Sequence, residues 1–142
     1  MRDIDEISGD VVDVALAIHR DLGPGLLESV YEMVLAAKLA NKGYLVERQK
    51  AVDIEFDGLH FPGAFRVDLL IDERLVVEIK SAELLTKAHG KQLLTYLRLL
   101  QQPVGLLINF SGATLKEGIR RVVNDHQSSA SSRLRVNRQT GA

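Results

Sequence analysis

The chain is predicted to fold as an α+β protein of mixed α/β layout, a central sheet flanked by helices, on three observations. Apolar residues recur at steps of three and four from Ile4 to Leu22, and again from about Leu27 to Ala40, the period of helices with one buried stripe. From Tyr44 the period falls to two, with turn residues between the runs, as in an antiparallel meander. A third helical pattern, about Thr86 to Leu100, leads into the almost wholly apolar run Val104 to Phe110, which suits a buried strand reached by a helical crossover.

In the first helix Ile4, Ile7, Val11, Val14, Ile18 and Leu22 form the stripe, and Gly23-Pro24-Gly25 ends it, since no regular helix continues through that triplet. The second helix carries Val30, Val34, Leu35 and Leu39 and stops at Asn41-Lys42-Gly43. Strands follow at Tyr44-Leu45-Val46 and Val52 to Phe56. Asp57-Gly58 turns the chain into Leu59-His60-Phe61, and Pro62-Gly63 punctuates before Phe65 to Ile71. Asp72-Glu73-Arg74 turns again into Leu75 to Lys80. The third helix has Leu93, Leu94, Leu97 and Leu100 as its apolar side and ends at Gln101-Gln102-Pro103. After a last amphipathic stretch, Leu115 to Val123, the composition becomes polar. One domain over residues 1–125 and a disordered tail over 126–142 are therefore expected, with Arg133, Arg135 and Arg138 a solvated end rather than a nucleic-acid arm.

At 142 residues the chain is long enough for one ordinary core and too short for two independent domains. It has no cysteine, which excludes disulfides, thiolate metal sites and cysteine nucleophiles and is consistent with a reducing cytoplasm. The acidic start Met1-Arg2-Asp3-Ile4-Asp5-Glu6 is unlike a secretory signal, and no apolar run approaches the length of a membrane span, so a soluble, cytoplasmic protein with no membrane partner is expected. A net charge of -1 argues against coating nucleic acid by bulk electrostatics. Contact with nucleic acid would have to be local.

The chemistry concentrates between Arg66 and Lys80. Side chains alternate across a strand, so Glu78 and Lys80 point to one face while Leu75, Val77 and Ile79 point to the other. On the preceding strand Asp68 is expected to share a face with Arg66 and Leu70, with Phe65, Val67, Leu69 and Ile71 opposite. Two carboxylates and a lysine converging on one patch could hold a divalent cation and direct a water onto a phosphate ester. A solvated salt-bridged strand face is the competing reading, and the apolar surroundings of Glu78 weigh against it. Glu28 and Tyr31 lie three apart near the start of the second helix, and Gln92 and Tyr96 four apart on the third.

Asp68, then Glu78-Ile79-Lys80, then Gln92-Leu93-Leu94-Thr95-Tyr96 in this order resemble the PD-(D/E)XK nuclease superfamily, with Val67 in place of the proline before the aspartate. Gly25-Leu26-Leu27-Glu28-Ser29-Val30-Tyr31 resembles the signature of its GxxExxY branch, and the likeness runs from about Ile18 to Val123. It implies a restriction-endonuclease-like core that cuts a phosphodiester with magnesium or manganese, its partner nucleic acid and DNA in the first instance. Asp68 and Glu78 would be metal ligands, Lys80 would position or activate the attacking water, and Glu28 would be a further metal or water ligand. Gln92 and Tyr96, with Tyr31 and Arg66, would contact substrate.

Alternatives stand beside these roles. Glu28 also suits a helix N-terminus electrostatically. Gln92 and Tyr96 also suit a boundary between core and water, and Arg66 could neutralise the carboxylates instead of meeting phosphate. His89 reads as a helix-end residue, and His19 and His60 lack partners at zinc-ligand spacing. A non-catalytic nucleic-acid-binding or regulatory module on the same fold is the second functional reading, and a homodimer through the first helix is compatible with either.

Overall fold

The computed structural model describes residues 2–125 and 134–138. In chain order the elements are α1 (Ile4–Leu22), α2 (Glu28–Asn41), β1 (Val46–Phe56), β2 (Leu59–Ile71), β3 (Leu75–Lys80), α3 (Lys87–Leu100), β4 (Val104–Asn109), a 3-10 turn (Lys116–Gly118), β5 (Ile119–Val123) and β6 (Leu134–Arg138). The strands form one mixed sheet in the order β5-β4-β3-β2-β1-β6. Its parallel pair is β3 with β4, the two strands that α3 joins. Among the described residues no helix is long and apolar enough to cross a membrane.

Each face of the sheet has its own core. Ile7, Val11 and Ile18 of α1 and Leu35 and Leu39 of α2 pack on Leu69, Ile71, Leu75, Val77, Ile79, Leu106 and Ile108. Leu93, Leu97 and Leu100 of α3 pack on Val52, Val67, Leu70, Val76 and Leu107. Central β3 is thus covered on both sides, which is why its side chains from Leu75 to Ile79 are buried.

Strict alternation fails at one place. Leu69 and Ile71 face α1 and α2, but Phe65 and Val67 of the same strand pack on the α3 side. The faces exchange at Asp68. β1 exchanges with it, Val46 lying on the first side and Val52 on the second. Between the paired residues Arg48↔Leu69 and Lys50↔Val67, Gln49 takes a left-handed backbone with φ of 48°, uncommon for a residue with a side chain. Arg66, Asp68 and Leu70 therefore do not share one face: Leu70 belongs to the α3 core, and Arg66 alternates away from it.

Other boundaries also differ from expectation. β1 is continuous from Val46 to Phe56, and β2 runs through Pro62 and Gly63 with a register shift opposite Val52 to Ile54. Gly63, at φ 58°, donates its N–H to Asp53 Oδ1 at 2.7 Å, so this punctuation is a bulge within a strand. Within the tail expected to be disordered, Leu134–Arg138 pairs antiparallel with Val52 to Phe56 on the β1 edge. The rest of the tail lies outside the described residues.

Candidate active site

Asp68 and Glu78 meet where β2 and β3 separate. Their ladder ends at Leu69↔Val77, and the next N–H of β3, from Ile79, donates instead to Asp68 Oδ2 at 2.8 Å. The aspartate side chain thus takes the place of a backbone acceptor and is held between the two faces of the sheet. Glu78, on the α3 face of β3 with Val76, is only 5% exposed. Burial first, then the charge and hydrogen bonding of Asp68, push its carboxyl from 4.5 up to about 9, while the Lys80 ammonium pulls it down. Lys80 ends β3 two residues on, partly exposed, and among the described residues it forms no ion pair. The expected convergence of two carboxylates and a lysine is present.

A cleft of about 710 Å³ opens beside Asp68 on the Ile79 side of β3, lined among others by Leu26, Glu28, Glu32, Gln49, Asp68 and Ser81. Glu28, the first residue of α2, accepts from the Ser81 N–H at 3.1 Å and so ties the helix start to the end of β3. One turn further, Glu32 is 5% exposed and accepts from Arg48 Nη2 at 3.1 Å and from Gln49 Nε2 at 2.6 Å. The same Gln49 nitrogen donates to Asp68 Oδ1 at 3.2 Å. Sequence reasoning passed over Glu32, Arg48 and Gln49. Glu32 could have been found as the acid one helical turn after Glu28, whereas nothing local announces the reversal at Gln49.

The remaining expected residues separate. Tyr31 is fully buried; it stacks on Phe110 at 4.3 Å between ring centroids, donates its hydroxyl to the Gly23 carbonyl at 2.6 Å and accepts from the Leu26 N–H at 3.1 Å. It clamps the corner between α1 and α2, its hydroxyl donating to and accepting from that loop. Tyr96 does lie near the carboxylates: burial, then the charges of Glu78 and Asp68, raise its phenol above the ordinary value, and its ring stacks on Phe65. Gln92 is exposed one turn earlier on α3. Arg66 is exposed and paired with Ala51 across β1, and among the described residues it forms no ion pair with Asp68. His89 accepts the Thr86 N–H at 3.0 Å and is a helix cap.

The donor set suits a hard divalent cation. Among the described residues Glu78 Oε1 is buried with no hydrogen-bond partner, a costly state for an isolated carboxylate oxygen, and ligation would satisfy it. Among the described residues no group of three or more Asp, Glu or His residues that could hold a metal ion forms; Glu28, expected as a further ligand, accepts from the Ser81 N–H through one of its oxygens. Two carboxylates are enough for magnesium, which keeps several waters and takes the rest of its shell from phosphate.

A family model described as the PD-(D/E)XK nuclease superfamily matches residues 5–122. No curated protein and no solved structure matches the chain.

Proposed function

Since the chain belongs to the PD-(D/E)XK nuclease superfamily, we propose that it is a metal-dependent nuclease hydrolysing phosphodiester bonds in nucleic acid, with magnesium or manganese as the cation and DNA as the first substrate to test. The observation that carries this reading is the buried Glu78 oxygen, unpartnered among the described residues and set against Asp68 and Lys80, with Asp68 also lining an open cleft. Gly25, Glu28 and Tyr31 support placement in the GxxExxY branch.

Asp68 and Glu78 would hold the cation, which when bound polarises a phosphoryl oxygen and acidifies a coordinated water. Lys80, adjacent on the Glu78 face, is suited to orient the attacking water and to stabilise the negative charge that develops on the phosphate. Tyr96 borders the pair on the α3 side and would limit how far substrate approaches. Glu28 keeps the end of β3, and so Lys80, in register with the cleft.

The test is cleavage of single- and double-stranded DNA and RNA by purified protein with manganese and then magnesium, beside Asp68→Ala and Lys80→Ala. Each variant is expected to fold and to lose activity by about 10²–10³-fold or more, the usual effect of deleting one electrostatic contact to a transition state. A folded wild type that binds nucleic acid and cuts none of these substrates would replace the nuclease with the non-catalytic module.

A further inference from the structure

We propose that Gln49 is a positioning residue that aims the Asp68 carboxylate at the bound cation, an inference that rests on the nuclease reading above. Three observations carry it. Gln49 occupies a left-handed backbone conformation, φ 48°, at the point where β1 and β2 exchange faces. A residue with a long side chain is a poor choice there if only the turn matters, since glycine takes that conformation without steric cost and asparagine takes it more readily than glutamine. The conformation turns the side chain into the cleft, where Nε2 donates to Glu32 Oε1 at 2.6 Å and to Asp68 Oδ1 at 3.2 Å. Finally, Glu32 is itself buried and fixed by Arg48, with contacts of 3.1 Å and 3.3 Å.

An amide nitrogen has two N–H donors, and here both are spent on carboxylates, one an anchor and one a metal ligand. Asp68 then receives one donor on each oxygen, from Gln49 and from the Ile79 N–H. An ionised carboxylate offers about four lone-pair sites, so ligation capacity remains on both oxygens while rotation of the group is checked. Partners behind a metal ligand fix its orientation in this way, and their loss costs about 10–100-fold in affinity or activity.

Gln49→Gly is the informative variant, because it keeps the backbone conformation and deletes the amide. Gln49→Asn serves as a second variant in case the first does not fold, since it tolerates the same backbone and leaves the amide one methylene short. Manganese binding to the full chain, by calorimetry without nucleic acid, is compared for wild type, Asp68→Ala and both Gln49 variants, with thermal unfolding as the folding control. Binding is expected to weaken about 10-fold or more in the Gln49 variants. In cleavage assays their loss should fall on kcat, leave KM for nucleic acid unchanged and recover as manganese is raised, which a general folding defect would not do. Wild-type affinity in Gln49→Gly, with binding still abolished by Asp68→Ala, would overturn the positioning role alone. Absence of manganese binding in the wild type would overturn the metal site and this inference together.

Discussion

Tyr31 is a residue whose neighbours in sequence suggest substrate contact and whose atoms do something else. The ring fills the space over Phe110, and the hydroxyl bridges the Gly23 carbonyl and the Leu26 N–H. Gly23 and Gly25 stand at φ 74° and 99°, so this corner needs glycine and also needs a fastening. Tyr31→Phe keeps the stack and removes the bridge. It should lower unfolding stability by about 1–3 kcal/mol, the cost of leaving partly buried backbone groups unpaired, as read from urea midpoints. Manganese affinity should change little, because the hydrogen bonds of the phenol go to Gly23 and Leu26. A large loss of metal binding with unchanged stability would mean that Tyr31 belongs to the site after all. At this scale Asp68, Glu78 and Lys80 were legible because a strand's two-residue period places charges among apolar neighbours. Tyr31 was legible as important but not as buried, since a helical position three residues from Glu28 does not specify which side faces the core. Gln49 was not legible, because its left-handed backbone is imposed by the exchange of faces rather than by a glycine or asparagine at that position.

Among the elements, β4 and the 3-10 turn before β5 meet through one close approach. A Cβ on Gly118 would clash with the Asn109 carbonyl oxygen, so the backbone of the 3-10 turn or of β4 would have to move. Asn109 in turn fastens the segment after Lys80: its Oδ1 accepts from the Ala82 N–H at 3.1 Å and its Nδ2 donates to the Ala82 carbonyl at 2.9 Å. Gly118→Ala is therefore expected to destabilise by about 1–3 kcal/mol, as overpacking of well-packed structure does, and to loosen the loop that follows Lys80. Hydrogen exchange at Ala82 would report the second effect; protection equal to wild type would show that the strain is absorbed within the turn. The helices were legible to within a residue or two because stripe, glycine stop and proline coincide. The meander was legible as strands but not in their number or extent: the five expected runs form three strands, β1, β2 and β3. Pro62-Gly63 reads as a break but is accommodated as a bulge, where a missing ladder N–H costs little. The pairing of Leu134–Arg138 with β1 depends on an edge far away in sequence, which no local pattern in a polar tail reveals.

At the scale of the whole molecule, the buried carboxylate links folding, pH and metal. In the metal-free fold Glu78 binds its proton up to about pH 9, whereas its ordinary value is 4.5. Between these values the folded chain holds a proton that the unfolded chain has released, so stability falls as pH rises. The contribution is complete below about pH 4.5, is lost progressively up to about pH 9 and is constant above it. Glu78→Gln has no such proton and supplies the reference for every other titrating group. The wild-type urea midpoint, taken relative to Glu78→Gln, should therefore decline from pH 5 to pH 9, and parallel curves would show that Glu78 is ionised in the fold. A divalent cation reverses the sign of the effect, because ligation requires the deprotonated carboxylate and so releases the proton. Manganese should then bind more tightly at pH 8.5 than at pH 6, and its stabilisation of the fold should grow over the same interval. In Glu78→Gln that growth should largely vanish. The variant thus separates a carboxylate buried only as part of the core from one buried for ligation: both lose stability with rising pH, but only the second regains it when manganese is added.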